Sequence, residues 1–291
     1  VAYSPPHPLL PTVTGGSGDD SVNIGAITST DTVTGGDGTD TIVTAAAVTV
    51  ANAAGVSGVE TLSIVNAGAT ATITQDMDAF SVNTVSVGDV NNQSVALNDA
   101  TADDTYAITA SNTNGTGTVI TLKTDTDSDS SSLSLGAAAA GVTLDQVTAQ
   151  NFETLTISSS GGANTITDLT ASDLTSLTVN ATTAFTITNA ITSATALATV
   201  DASGSAAAVD VDSTNSTTAM TMTGGAGADT LAGGSGNDTI SGGAGADTLS
   251  SNGGVNTFNG GAGGDTITDT TGASTINGGD GNDGITPGSG N

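Results

Sequence analysis

Short runs in which apolar and polar residues alternate recur along the whole chain, among them TLSIV at 61–65, SLTVNA at 176–181 and AFTITNA at 184–190. Alternation with β-branched residues at the apolar places is the mark of a strand with one buried face, so the chain reads as folded and almost wholly β. Toward the C-terminus the pattern tightens to a fixed period. From Gly224 the residues fall into the frames GGAGADTLA, GGSGNDTIS, GGAGADTLS, SNGGVNTFN, GGAGGDTIT, DTTGASTIN and GGDGNDGIT. The eighth place is Leu231, Ile240, Leu249, Phe258, Ile267, Ile276 and Ile285, apolar every time. A spacing kept so strictly predicts a repeat architecture. In each frame the last residues form a short strand with one inward apolar side chain, and the first six form a turn. Glycine suits that turn because tight turns use positive φ and stacked backbones approach closely. Two frames make a coil of about 18 residues, and coils stack at the strand-pairing distance of about 4.8 Å.

Between residues 44 and 223 the glycine turns disappear, but short strands continue about ten residues apart, around Val85, Val95, Ile108, Ile120, Ile157, Ile166, Val179, Ile187, Val200 and Val211. Two strands per coil of about 20 residues predict a continuing right-handed parallel β-solenoid, each coil burying a thin apolar core against its neighbours. Strand spacing alone also allows a separate β-sandwich there. VSGVETLSI (56–64) and AQNFETLTI (149–157) carry the two glutamates, Glu60 and Glu153, at the same place before a strand. That recurrence points to an internal duplication rather than a catalytic pair. The chain thus divides into an extended Pro-rich start (1–14), a short repeat block (15–43), a Thr/Val/Ala-rich solenoid (44–223) and a dense repeat block (224–291). Both ends read as cuts through a longer solenoid.

Composition narrows the function. With 29 acidic residues against a single basic one, Lys123, the net charge is −28. Such a chain is not a nucleic-acid binder working through phosphate contacts, nor does it carry the basic clusters that dock on anionic lipids. No apolar stretch is long enough for a membrane span. The absence of cysteine removes thiol chemistry and leaves the redox compartment unread. The start VAYSPPHPLLPT lacks the charged region of a secretory signal peptide, so any export address lies elsewhere or has been removed.

The sixth-place aspartates carry the chemistry. Stacking brings carboxylates of alternate frames to one edge at about 5 Å, where repulsion at an effective dielectric of 20 is about 3 kcal/mol per pair. Oxygen-rich turns with paired carboxylates are what Ca²⁺ prefers, since it takes six to eight oxygen ligands. The ion would turn that repulsion into a clamp. DTDSDSSS (125–132) spaces Asp125, Asp127 and Asp129 like the first half of an EF-hand loop, but it lacks the glycine and glutamate that complete one, and it reads as a solvated loop.

The frames resemble the Gly-Gly-x-Gly-x-Asp-x-apolar-x nonapeptide of the repeats-in-toxin family, a Ca²⁺-binding pattern. The resemblance implies a parallel β-roll in which each ion lies between frames n and n+2. The intact turns at Gly224, Gly242, Gly260 and Gly278 then share one edge, with three ions in a row held by Asp229, Asp247, Asp265 and Asp283 and carbonyls of their turns. The other edge is expected to be empty or weakly occupied, because Asp238 faces Asn256 and then Ser274. Near the start, GGSGDDSVN (15–23) and GGDGTDTIV (35–43) flank AITSTDTVT (26–34), so Asp20 and Asp40 are expected to share a further Ca²⁺, while Asp31 has no glycines beside it.

No catalytic constellation is legible: His7 is the single histidine, and no His-Glu-x-x-His or Gly-x-Ser-x-Gly occurs. The order of sparse repeats, a long Thr/Ala/Val-rich stretch and dense repeats resembles surface-layer proteins of the Caulobacter type and related secreted adhesins. That resemblance implies a type I secreted, extracellular protein of the cell surface that self-assembles into a lattice or filament with Ca²⁺, with a cell-surface polysaccharide as a possible anchor. The alternatives are a stalk segment of a large adhesin and the repeat tail of a secreted enzyme. A fold that waits for millimolar Ca²⁺ would stay loose during export and close outside.

Overall fold

The computed structural model of the chain describes residues 12–46, 51–65, 73–76, 82, 84–88, 95–100, 105–109, 118–122, 129–136 and 141–290. Among them are 27 strands and no helix, numbered here in chain order. Even-numbered strands from β2 (Ser21–Asn23) to β26 (Thr275–Asp280) form one sheet of 13 strands. Odd-numbered strands from β7 (Ile73–Asp76) to β27 (Gly284–Thr286) form a second of 11, and β1 (Thr12–Ser17), β3 (Thr32–Asp37) and β5 (Val56–Ser57) form a third of three. Within each sheet a strand pairs in parallel with the strand two places on, never with its neighbour in the chain. That is a parallel β-solenoid. The sandwich alternative falls here, because a sandwich is built from antiparallel neighbours.

Register follows the apolar pattern. In the dense block Met222, Ile240, Phe258 and Ile276 stack on one sheet, and Leu231, Leu249, Ile267 and Ile285 on the other. The members from Leu231 to Ile267 are at most 1% exposed. Each nonapeptide strand from Leu231 to Ile267 therefore buries one large apolar side chain, while Ile276 is partly buried and Ile285 is 44% exposed. Many strands of the glycine-poor coils bury two: β14 (Thr154–Ser159) hides Leu155 and Ile157, and β16 (Ser176–Ala181) hides Leu177 and Val179 beneath them. At about 1.5–3 kcal/mol for each fully buried aliphatic side chain, the middle coils hold together on burial alone more firmly than the nonapeptide coils do.

Coil length changes with turn chemistry. Ile240 pairs with Phe258, 18 residues on, whereas Leu155 pairs with Leu177, 22 residues on. The 18-residue coil is possible only with glycine in the turns. Gly243 (φ 109°) and Gly245 (φ 128°) adopt backbone angles that L side chains rarely take, and a Cβ on either would strike the backbone of the coil before. At the start, β1 pairs with β3 from Thr12 onward and Val13 packs against the core. Residues 12–14 thus belong to the first coil rather than to the Pro-rich start. His7, Asp125 and Asp127 lie outside the described residues.

Candidate metal centre

The turns hold the sixth-place aspartates inward. Asp229, Asp238, Asp247 and Asp265 are each 1% exposed and Asp40 is 2% exposed, while Asp20 and Asp283 are half-buried. They do not simply repel. The backbone N–H of Asp229 donates to Asp247 Oδ1 (2.8 Å), that of Asp247 to Asp265 Oδ1 (2.9 Å), and that of Asp265 to Asp283 Oδ1 (3.0 Å). Asp20 donates in the same way to Asp40 Oδ1 at 2.8 Å. One carboxylate oxygen of each member is thus spent on the coil before it, and the other is turned into the turn.

Those second oxygens decide the chemistry. Asp40, Asp247 and Asp265 each bury Oδ2 without a hydrogen-bond partner, a costly arrangement for an ionised group. Each faces a space left open by a first-place glycine. The Cβ that Gly242 lacks would lie 2.6 Å from the Gly260 carbonyl oxygen and would also strike Asp247 Oδ2. At Gly224 the same space is bounded by Asp229 Oδ2 and the Gly242 carbonyl, at Gly260 by Asp265 Oδ2 and the Gly278 carbonyl, and at Gly15 by Asp20 Oδ2 and the Gly35 carbonyl. Beside Gly278 lies the Asp283 carboxylate. Each of the turns at Gly15, Gly224, Gly242 and Gly260 thus brings a carboxylate oxygen and a carbonyl oxygen of adjacent coils together at a glycine, and such oxygens are the donors that Ca²⁺ takes. Among the described residues no three His, Cys, Asp or Glu side chains converge, so the donors are carboxylate and carbonyl oxygens, a hard set that suits Ca²⁺. The residues present fit the ion.

Burial pushes the Asp229 carboxyl above its ordinary range, against hydrogen bonds from the N–H groups of Gly225 and Val209. Asp247 is pushed up to about 6, chiefly by burial, with a smaller part from the charges of Asp229 and Asp265. Desolvation therefore outweighs the repulsion that the stacked sequence frames bring to mind. A cation at this edge offsets both.

The opposite edge is built differently. Asp238 donates its N–H to Asn256 Oδ1 (2.8 Å) and Asn256 donates to Ser274 Oγ (2.8 Å), so the column loses its charge in two steps. Ser251 and Asp269 stand where the intact frames have their first glycine. The Ser251 hydroxyl reaches Asp238 Oδ2 at 2.9 Å, and its proton does there what an ion does on the other side. A Cβ on Gly233 would meet the Asp238 carboxylate and an Ile240 methyl first. Asp31 is buried, and its Oδ2 accepts from the N–H and hydroxyl of Thr28, within its own turn.

Sequence reading misses the relation between the two repeat blocks. Asp20 and Asp40 precede strands of the 13-stranded sheet, as Asp238 does, whereas Asp229, Asp247, Asp265 and Asp283 precede strands of the 11-stranded sheet. The first block thus has its carboxylates on the edge opposite the main column. The glutamates were also within reach: Glu60 Oε2 accepts from the Asp40 N–H and Glu153 Oε2 from the Asp129 N–H, both at 2.8 Å. The signal was their place two residues before an inward leucine, the place the aspartates occupy.

Residues 28–46, 223–258 and 259–291 match the family model of the RTX calcium-binding nonapeptide repeat, in four copies. The match covers these segments and not the rest of the chain. Such repeats bind Ca²⁺ and occur in secreted proteins, so this is a calcium-binding β-solenoid protein. The frame at 15–23 lies outside the matched residues. No curated protein matches the chain.

Filling one of these spaces is a direct test of the site. The Gly242→Ala variant should lose one bound Ca²⁺ and, from overpacking, about 1–3 kcal/mol of stability. Gly25→Ala, where an added Cβ meets nothing within 4 Å, should leave both unchanged. Calcium titration calorimetry with thermal melting on the two variants makes the comparison.

Proposed function

We propose that the protein is a non-enzymatic, Ca²⁺-dependent structural protein of a bacterial cell surface, a subunit of a lattice or filament. The observation that carries the reading is the row of turns at Gly224, Gly242 and Gly260, where buried carboxylate and carbonyl oxygens converge in successive coils. A fold that depends on such a row closes only where Ca²⁺ is plentiful, as it is outside the cell. Charge supports the same reading. Copies carrying −28 each repel one another, and divalent ions allow them to approach. Assembly would then use the flat sheets and their ion-bearing edges, with export by a type I route and a surface polysaccharide as anchor.

The test is electron microscopy and light scattering of the purified chain before and after millimolar Ca²⁺ is added. Ordered sheets or filaments that vanish on chelation are expected. Monomers that persist in Ca²⁺ and bind cells or glycans would replace this reading with a stalk segment of an adhesin. Circular dichroism in the same titration should show a gain of β signal as the ion is added.

A further inference from the structure

We infer that the first repeat block holds a second Ca²⁺, beyond one shared by Asp20 and Asp40, in a site closed by Gly58 and Glu60 of a coil that carries no nonapeptide. The inference rests on the reading of the glycine-edged spaces as ion sites, and extends it to a turn outside the matched repeats.

Register places the parts. Val33 pairs with Val56 and Thr34 with Ser57, so Gly58 stacks on Gly35 as Gly242 stacks on Gly224. The space beside Gly35 is bounded by Asp40 Oδ2 and the Gly58 carbonyl oxygen, the same pair of groups that bounds the spaces at Gly15, Gly224, Gly242 and Gly260. Asp40 is 2% exposed, and its Oδ2 is one of the buried oxygens without a partner. The next acid in the column is Glu60, whose Oε2 accepts the Asp40 N–H at 2.8 Å, as Asp247 Oδ1 accepts that of Asp229 at 2.8 Å. Glu60 is therefore to Asp40 what Asp247 is to Asp229.

The turn explains why the acid is a glutamate. In GGDGTD four residues separate the first glycine from the aspartate; in Gly58-Val59-Glu60 one does. Gly58 turns the chain with φ 59° and Val59 is buried, so the acid starts from a tighter bend. The extra methylene of glutamate restores the reach to the Asp40 N–H. The same turn recurs at Asn151 (φ 60°), buried Phe152 and Glu153, which accepts the Asp129 N–H. At Asp40 this Gly/Asn-apolar-Glu turn lies over the paired Asp40 and Gly58 oxygens.

Native mass spectrometry of the full chain in Ca²⁺, with calorimetry, tests the assignment. The parent should take five ions: three along the Asp229 to Asp283 column, one between Asp20 and Asp40, and one between Asp40 and Glu60. Glu60→Gln keeps the side-chain length and the acceptor for the Asp40 N–H; it should take four ions, or hold the fifth at least tenfold more weakly. Gly35→Ala, which fills the space, should also lose that ion, with circular dichroism confirming that the remaining coils are folded. A parent with four ions and a Glu60→Gln variant identical to it would overturn this site while leaving the others standing. A parent with no ions would overturn this site and the wider reading together.

Discussion

Replacing Asp247 by asparagine should move stability in opposite directions with and without Ca²⁺. In ion-free buffer near neutral pH the variant should melt higher than the parent; in millimolar Ca²⁺ it should melt lower. The reason lies in what each oxygen of Asp247 does. Oδ1 accepts the Asp229 N–H, and asparagine keeps that acceptor. Oδ2 is buried without a partner, and asparagine puts there an uncharged amide that can donate toward the Gly260 carbonyl, whose oxygen edges the same space. Without the ion the substitution removes a desolvated charge pressed by Asp229 and Asp265, a gain of about 1–3 kcal/mol. With the ion it removes the ligand that makes the site. A site a hundredfold above its dissociation constant contributes about 2.7 kcal/mol, and Asp247 stands between two spaces, at Gly224 and Gly242. Differential scanning calorimetry of parent and variant, each in chelator and in Ca²⁺, should show the two pairs of curves cross. A variant less stable than the parent in both buffers would mean that Asp247 is a structural hydrogen-bond acceptor and no more.

The contrast with Asp238 sharpens this result. Its second oxygen already has the Ser251 hydroxyl, so Asp238→Asn should change the Ca²⁺ dependence of melting little. Two edges of one solenoid thus answer the same problem in two ways. One edge keeps its glycines and relies on a cation; the other fills the first place with Ser251 or Asp269 and thins its sixth-place charge through Asn256 and Ser274, although Asp269 itself buries an Oδ2 without a partner. Many strands of the middle coils rely instead on burying two apolar side chains where a nonapeptide strand buries one.

What the sequence made legible follows from this division. The eighth-place residues announced the core of the dense block because a large apolar residue recurs there in every frame, and each from Leu231 to Ile267 is buried. The Asp238, Asn256 and Ser274 succession could be read directly, since equal frame lengths make neighbours in space of every second frame. In the middle, coil length drifts from one coil to the next, so the partner of a given residue cannot be counted off. Glu60 and Glu153 show the consequence. Their recurrence was visible, but their hydrogen bonds to Asp40 and Asp129 depend on a turn several residues shorter than the nonapeptide turn, and only register reveals that. The placement of the first block on the opposite edge from the main column depends on the same uncounted coils.

Acid should stabilise the ion-free protein, against the usual expectation for a fold held by carboxylates. Ion-paired aspartates ordinarily have depressed pKa values and lose their contribution as pH falls. Here the sign is reversed: Asp247 is pushed up to about 6 by burial and by its neighbours, and Asp229 and Asp238 are raised as well, chiefly by burial. The unfolded carboxyl titrates near 3.9, so between about pH 4 and pH 6 the folded chain binds more protons than the unfolded one, and stability falls as pH rises through that window. The contribution is full below about pH 4 and gone above about pH 6, and Asp247, with the highest raised value, sets the upper end of that window. A proton on Oδ2 does for a single carboxylate part of what the ion does for the row. Melting temperatures in Ca²⁺-depleted buffers should therefore decline from about pH 4 to about pH 6.5 and then level, with a smaller decline in Asp247→Asn. In millimolar Ca²⁺ the dependence should invert, because protons and the ion compete for the same oxygens and acid displaces the stronger stabiliser. A parent whose ion-free melting temperature is flat or rises across that window would show that these carboxylates are solvated in the absence of Ca²⁺, and that the rows close only around the ion.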